Sequence, residues 1–283
     1  MNLNSEIINC SGCLILPNIF TGLGVHEVTL HTAGRLTMEL NDFQKEFEAA
    51  QQSGNKIERL NFLWKLMRSP YTEYHYSLII GKDTDNEFRN ILWSRFDEHG
   101  EEAETLLISK LIKNEDVGFH ADILYYLGKI ADRRNTKYKK ETLEYAKQFV
   151  LSSDDDLRDS AIIVLGWIGS NSELPLLVDR LLHDTNSKCR AWAAASFMQM
   201  NFRLKRQGSF VSEEIVFPAL RQAIADEKDY FSLGTHIISL QEIAGKKWLS
   251  NTAAENVDVE KIEKAKKSAV NFLEKWEEIN SVN

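Results

Sequence analysis

Cys10, Cys13, His26 and His31 fit C-x2-C-x12-H-x4-H, a spacing that can bring two thiolates and two imidazoles to one tetrahedral zinc ion. The surroundings argue against it. The histidines of such a site belong on a helix, and Gly22, Gly24, Val25, Val28 and Thr29 are poor helix formers. No lysine or arginine lies between Cys10 and His31, so nothing there would grip a nucleic-acid backbone. These four residues read as two small buried thiols and two strand histidines, with no metal.

The remaining candidates for chemistry have simpler uses. Asp154, Asp155 and Asp156 precede an apolar helical run, where carboxylates cap free N–H groups and suit the positive end of the helix dipole. Glu101, Glu102 and Glu104 likewise begin a helix. Cys189 has no histidine tied to it by a motif and reads as a small buried residue. His120 stands where sister segments carry Arg158 and Arg190, which predicts a structural polar contact; His236 falls in a core column and reads as a satisfied buried histidine. No Gly-rich phosphate loop, G-x-S-x-G elbow or H-E-x-x-H pair occurs, so neither catalysis nor a cofactor is expected.

The elements that position these residues are helical. The run from Asp156 to Gly169 places Ala161, Leu165 and Ile168 on one helix face and is followed by Leu174, Leu177, Val178, Leu181 and Leu182 on a second. Gly169 is placed to end the first helix in the left-handed conformation, and Pro175 to start the second. The pattern recurs. Leu127-Gly-Lys-Ile130 matches Leu165-Gly-Trp-Ile168, Phe197 and Met200 take the same two positions, and Leu240-Gln-Glu-Ile-Ala244 follows. Recurrence at 30 to 45 residues with two helices per unit signals an α-solenoid.

Leu157-Arg158, Ala161, Leu165-Gly166-x-Ile168-Gly169, Leu177, Leu181-Leu182-x-Asp184 and Arg190-x-x-Ala193-Ala194 resemble the HEAT-like repeats named after phycobilisome lyases. The resemblance is good over about residues 116–200 and weaker to about 246. It implies a mostly α fold: an α-solenoid of HEAT-like helical hairpins. Residues 1–41 form a small N-terminal β element by the alternation of Val28, Leu30, Leu36, Met38 and Leu40. Residues 42–115 hold divergent helical repeats, 116–246 the recognisable ones, and 257–280 a C-terminal capping helix. Within 42–115, Tyr71 to Gly81 is ambiguous, and Phe88, Ile91, Leu92 and Phe96 share one helix. Asn201–Ser212, with Arg203, Lys205 and Arg206, reads as a solvated loop, and Asn251–Asn256 as a polar joint. A second basic cluster, Arg133, Arg134, Lys137, Lys139 and Lys140, belongs to a turn and helix start.

Composition limits the partner. The 283 residues carry a net charge of −8, which argues against a nucleic-acid backbone or an anionic membrane and suits a basic protein. No apolar run is long enough to span a membrane, the N-terminus lacks a signal peptide, and three cysteines make no disulfide framework, so a cytoplasmic protein is expected. Trp167 fills the variable position of Leu-Gly-x-Ile, where sister repeats carry Lys129, Gln199 and Glu242; an aromatic in such a solvent-facing column is a candidate interface anchor. Tyr125 and Tyr126 are weaker anchors of the same kind. The expected partner-binding set is Trp167, Tyr125, Tyr126, Glu101, Glu102, Glu104, Asp154, Asp155, Asp156 and Asp179. In size, charge and repeat type the chain is similar to immunity proteins of contact-dependent inhibition and other bacterial toxin systems. That similarity implies a basic toxin nuclease domain as partner, blocked over its nucleic-acid-binding surface. A HEAT-repeat scaffold or adaptor is the alternative. HEAT-like DNA glycosylases and bilin lyases are a more distant one, the first disfavoured by the acidic charge.

Overall fold

The computed structural model describes residues 38–134 and 136–280. The Cys10, Cys13, His26 and His31 set, and nearly all of the expected β element, lie outside the described residues. Leu40, expected on a strand, instead starts a helix.

All regular structure among the described residues is helical. The chain divides into two compact units that meet at Thr142 and Leu143, within one helix. The N-terminal unit holds α1 (Leu40–Ser53), α2 (Lys56–Leu66), α3 (Thr72–Ile80), α4 (Asn86–Trp93), α5 (Glu101–Ile112) and α6 (His120–Arg133). Helix α7 (Lys139–Phe149) contains the boundary. The C-terminal unit holds α8 (Asp155–Ile168), α9 (Leu174–His183), α10 (Ser187–Arg206), α11 (Glu213–Asp226), α12 (Tyr230–Ala244), α13 (Asn251–Glu255) and α14 (Val259–Asn280). No described helix is long and apolar enough to cross a membrane.

In the C-terminal unit, α8 packs on α10 and α10 on α12, forming one layer; α9 packs on α11 and α11 on α14, forming the other. The column predicted from sequence is the core of this stack: Ala161, Ile162, Leu165, Ala193, Ala194, Phe197, Met200, Ile237 and Leu240 are fully buried. Helix α14 supplies Ile262, Ala265, Ala269 and Leu273 to close the end of the second layer. In the N-terminal unit α2 packs on α4, α3 on both α4 and α5, and α5 on α6. Its core is aromatic. Phe47 stacks on Phe88, and Trp93 stacks on Tyr126 with ring centres 4.4 Å apart. Tyr71–Gly81 is helical as α3, and Phe96 sits in a 3₁₀ turn beyond the end of α4.

An ion-pair fork recurs between repeats, fully buried at one of its three places. Arg158, fourth residue of α8, reaches Asp184 with Nε at 2.8 Å and Nη2 at 3.0 Å. Arg190, fourth residue of α10, holds Glu227 with two bonds of 2.8 and 2.7 Å. Arg59, fourth residue of α2, holds the exposed Asp85 end-on, with Nη1 at 3.2 Å and Nη2 at 2.6 Å. Each carboxylate also accepts backbone N–H groups near the start of the next helix: Asp184 from Asn186, Glu227 from Lys228 and Asp229, Asp85 from Phe88. One side chain therefore ties the preceding helix and caps the following one. His120, the first residue of α6, makes a structural polar contact as expected, bonding the Glu115 carbonyl.

Three local readings change. Gly169 is extended, with φ −70° and ψ −177°; glycine is needed there because a Cβ would run into the Leu165 carbonyl oxygen. Asn201–Arg206 continues α10 instead of forming a loop, which puts Arg203, Lys205 and Arg206 at the negative end of that helix dipole. Asn251–Glu255 is the short helix α13. Gly166 has its own reason. A Cβ would lie 2.8 Å from the Cα and Cβ of Ser196, whose hydroxyl donates to the Ile162 carbonyl at 2.8 Å, so α8 and α10 touch nearly backbone to backbone.

Two buried histidines are held neutral. His75 is fully buried and bonded to His99 and the Leu92 carbonyl; burial, then the neighbouring His99, lowers its pKa to about 3. His236 is buried as predicted but not satisfied: neither ring nitrogen reaches a hydrogen-bond partner among the described residues. Burial lowers its pKa to about 4, against the opposing pull of Glu227.

Removing one partner of a buried fork strands a charge, so Arg158→Ala and Asp184→Ala should each lose about 3–5 kcal/mol in urea unfolding. Gly166→Ala should lose about 1–3 kcal/mol from overpacking. Val257 has φ 50°, a left-handed conformation that suits no β-branched residue, so Val257→Gly should gain about 1 kcal/mol. The unfolded chain takes up protons on His75 and His236 below about pH 6.5 while the folded chain refuses them until near pH 3 and 4. Stability should be highest above pH 6.5 and fall by about 1.4 kcal/mol per pH unit for each histidine below it. Urea midpoints from pH 7.5 to pH 5 check this, with His236→Leu expected to flatten the slope.

Candidate protein-binding groove

Helices α3 and α5 lie side by side in the N-terminal unit and leave a groove of about 950 Å³ between them. Its lining is Leu40, Pro70, Tyr71, Thr72, Glu73, Tyr74, Glu101, Glu102, Thr105, Leu106 and Ser109. Among the described residues three carboxylates line it and no lysine or arginine does. Ser69-Pro70 stops the run from α2, and Thr72 and Glu73 open α3, so Glu73 stands in its first turn. Gly100 turns the chain at φ 68°, and Glu101 and Glu102 open α5. Both helices thus place acidic residues where the dipole favours them, at neighbouring ends. The Thr72 hydroxyl donates to Glu102 at 3.0 Å, tying the two starts together.

Tyr74 also lines a second hollow of about 560 Å³ with Phe47, Glu48, Gln51, Leu78 and Asp83. Among the described residues that lining, too, includes carboxylates and no cation. Burial and then the Glu48 charge raise the Tyr74 hydroxyl to about pKa 12, so the phenol stays protonated and can act as a donor. The two hollows share a wall. Chemically the surface offers carboxylates for cations and tyrosine, leucine and proline faces for aliphatic stems.

Of the residues expected to bind a partner, the structure brings Glu101 and Glu102 into this groove. Glu104 is corrected: it is buried, paired with Arg134 at 3.0 Å and bonded by Thr136, because its helix position turns it inward against that loop. Tyr125 and Tyr126 are half-buried and contact each other edge to face, with Tyr126 committed to Trp93. In the C-terminal unit, Trp167 is half-buried, as are its sister residues Gln199 and Glu242. Asp154 caps α8 through the Leu157 N–H at 2.9 Å, and Asp155 bonds Arg158 and Asn186. Asp156 is exposed, and Asp179 bonds Arg180 and His183. These four carboxylates build helix starts and ion pairs around the Arg158 fork and helix α9.

The sequence reading missed Glu73, Tyr71 and Tyr74. Their signal was present, because a Ser-Pro stop followed by Thr-Glu is a helix start. Elsewhere, Cys189 is buried as expected and donates to Asp159 at 3.0 Å; burial, then that carboxylate, raises its pKa and keeps the thiol protonated. Among the described residues no cluster of histidine, cysteine and carboxylates is arranged to hold a metal ion.

No curated protein and no solved structure matches the chain. Residues 104–198 match the family of HEAT repeats, which supports a HEAT-like repeat protein whose helical pairs form a scaffold for protein binding.

Proposed function

We propose that the chain is a non-catalytic protein-binding repeat protein whose partner is a basic protein domain, and that it acts as an immunity protein. The partner class that fits best is the nuclease domain of a bacterial toxin, because such a domain must carry a cationic surface for nucleic acid. Covering that surface with carboxylates would block the substrate. The observation that carries the reading is the groove between α3 and α5, whose described lining includes Glu73, Glu101 and Glu102 and no lysine or arginine. The net charge of −8 adds long-range attraction for the same partner and speeds encounter. Tyr71 and Tyr74 supply the rigid aromatic area that holds a complex once formed.

The test uses the partner recovered from source cells. A single basic protein should bind and should weaken steadily as salt rises. If it is a nuclease, its activity should disappear on adding the chain at equal concentration. Changing Glu73, Glu101 and Glu102 together to Gln should weaken binding by roughly tenfold to a hundredfold, mostly through slower association. A complex indifferent to salt and to this triple change would reject the acidic groove as the binding surface. A nuclease left fully active would reject the immunity role.

A further inference from the structure

One cation of the molecule's own stands at the rim of the groove. The Lys137 ammonium sits on the Glu101 carboxylate and lies 4.9 Å from the centre of the Tyr138 ring. The Tyr138 hydroxyl shares a 3.0 Å hydrogen bond with Thr105, a groove residue. Lys137 and Tyr138, just ahead of α7, therefore reach the groove rim and set a lysine on one of its carboxylates. Carboxylate below and aromatic ring beside it are the surroundings a bound lysine or arginine would find.

We propose that Lys137 is a placeholder: in the free protein it occupies the Glu101 subsite that a lysine or arginine side chain of the partner takes in the complex. This rests on the groove reading given under Proposed function. Three features support it. The pair is weak, since Lys137 and Glu101 keep 54% and 70% of their side-chain surface in water, so exchanging one cation for another costs little. One lysine does not fill the site, because the groove measures about 950 Å³ and has Glu73 and Glu102 besides Glu101. The walls suit an incoming segment, with Tyr71, Tyr74 and Leu106 able to cover the methylene stems of basic side chains. A partner with several cations gains contacts at Glu73 and Glu102 that Lys137 does not make. A single stray cation would have to compete with Lys137 at Glu101.

The experiment measures binding of a fluorescein-labelled octalysine peptide to the full chain at low salt by anisotropy. Lys137→Met should bind the peptide roughly two- to fivefold more tightly than the unaltered protein, the scale of an exposed ion pair. Lys275→Met makes the same change of net charge in the other unit and should leave the affinity unchanged. Adding Glu101→Gln to Lys137→Met should abolish the gain, since the subsite itself is then gone. Equal binding by the unaltered protein and Lys137→Met would overturn the placeholder and leave the groove reading standing. So would an equal gain from Lys275→Met, or a gain that survives Glu101→Gln. Octalysine bound by neither protein would overturn the groove reading and the placeholder with it.

Discussion

A guanidinium taken out of water must be met on every side, and that demand organises the repeats. Arg158 spends its donors on Asp184, Asp155 and the Ser152 carbonyl, while Asp184 also accepts from the Asn186 backbone. Arg158 and Asp184 are each 5% exposed, so neither could be left alone without a large desolvation cost. Burial by itself would raise the Asp184 pKa, yet the Arg158 fork holds it below the usual range. Such a pair adds little net stability compared with apolar packing, but it accepts only one geometry. The angle between a helix, its partner and the next helix is therefore specified by a fork that fits in one way.

Small residues complete that constraint. With the forks setting where α8 and α10 begin, Gly166 and Ser196 let them approach until side chain meets backbone. Closely packed first-layer helices force the size to be carried elsewhere, and Phe197 fills the space that Leu165 fills one repeat earlier. In the N-terminal unit the compensation is aromatic, with Phe62, Phe88, Trp93 and Phe96 making the core. There α3 and α5 meet less closely, and the acidic groove opens between them. The open surface thus lies at the loosely packed pair α3 and α5, and the tightest packing at the pair α8 and α10.

The groove also shows how helix electrostatics become a surface. Acidic residues at Glu73, Glu101 and Glu102 are favourable at helix starts for reasons internal to each helix. When two helices run together with their starts adjacent, the same preference concentrates negative charge at one place. Lys137 and Thr72 temper it, one with a charge and one with a hydroxyl.

Periodicity alone determined the helical pairs beyond about residue 116, the core columns and the closing helix α14, because an apolar stripe every 3.6 residues must be buried on one face wherever the chain goes. It also determined that Asp154 caps α8, since capping is local. The repeated fork was partly legible: Arg59 and Asp85 stand 26 residues apart, as do Arg158 and Asp184, and that spacing would have brought residues 42–115 into register. Only the tertiary structure decided which carboxylates face the groove. Glu102 and Glu104 are two residues apart on one helix, and the turn of the helix sends one to the groove and the other inward to Arg134. Only the tertiary structure, too, placed Glu73 and Tyr74 across from them, because the side-by-side packing of α3 and α5 is a contact between residues about thirty positions apart.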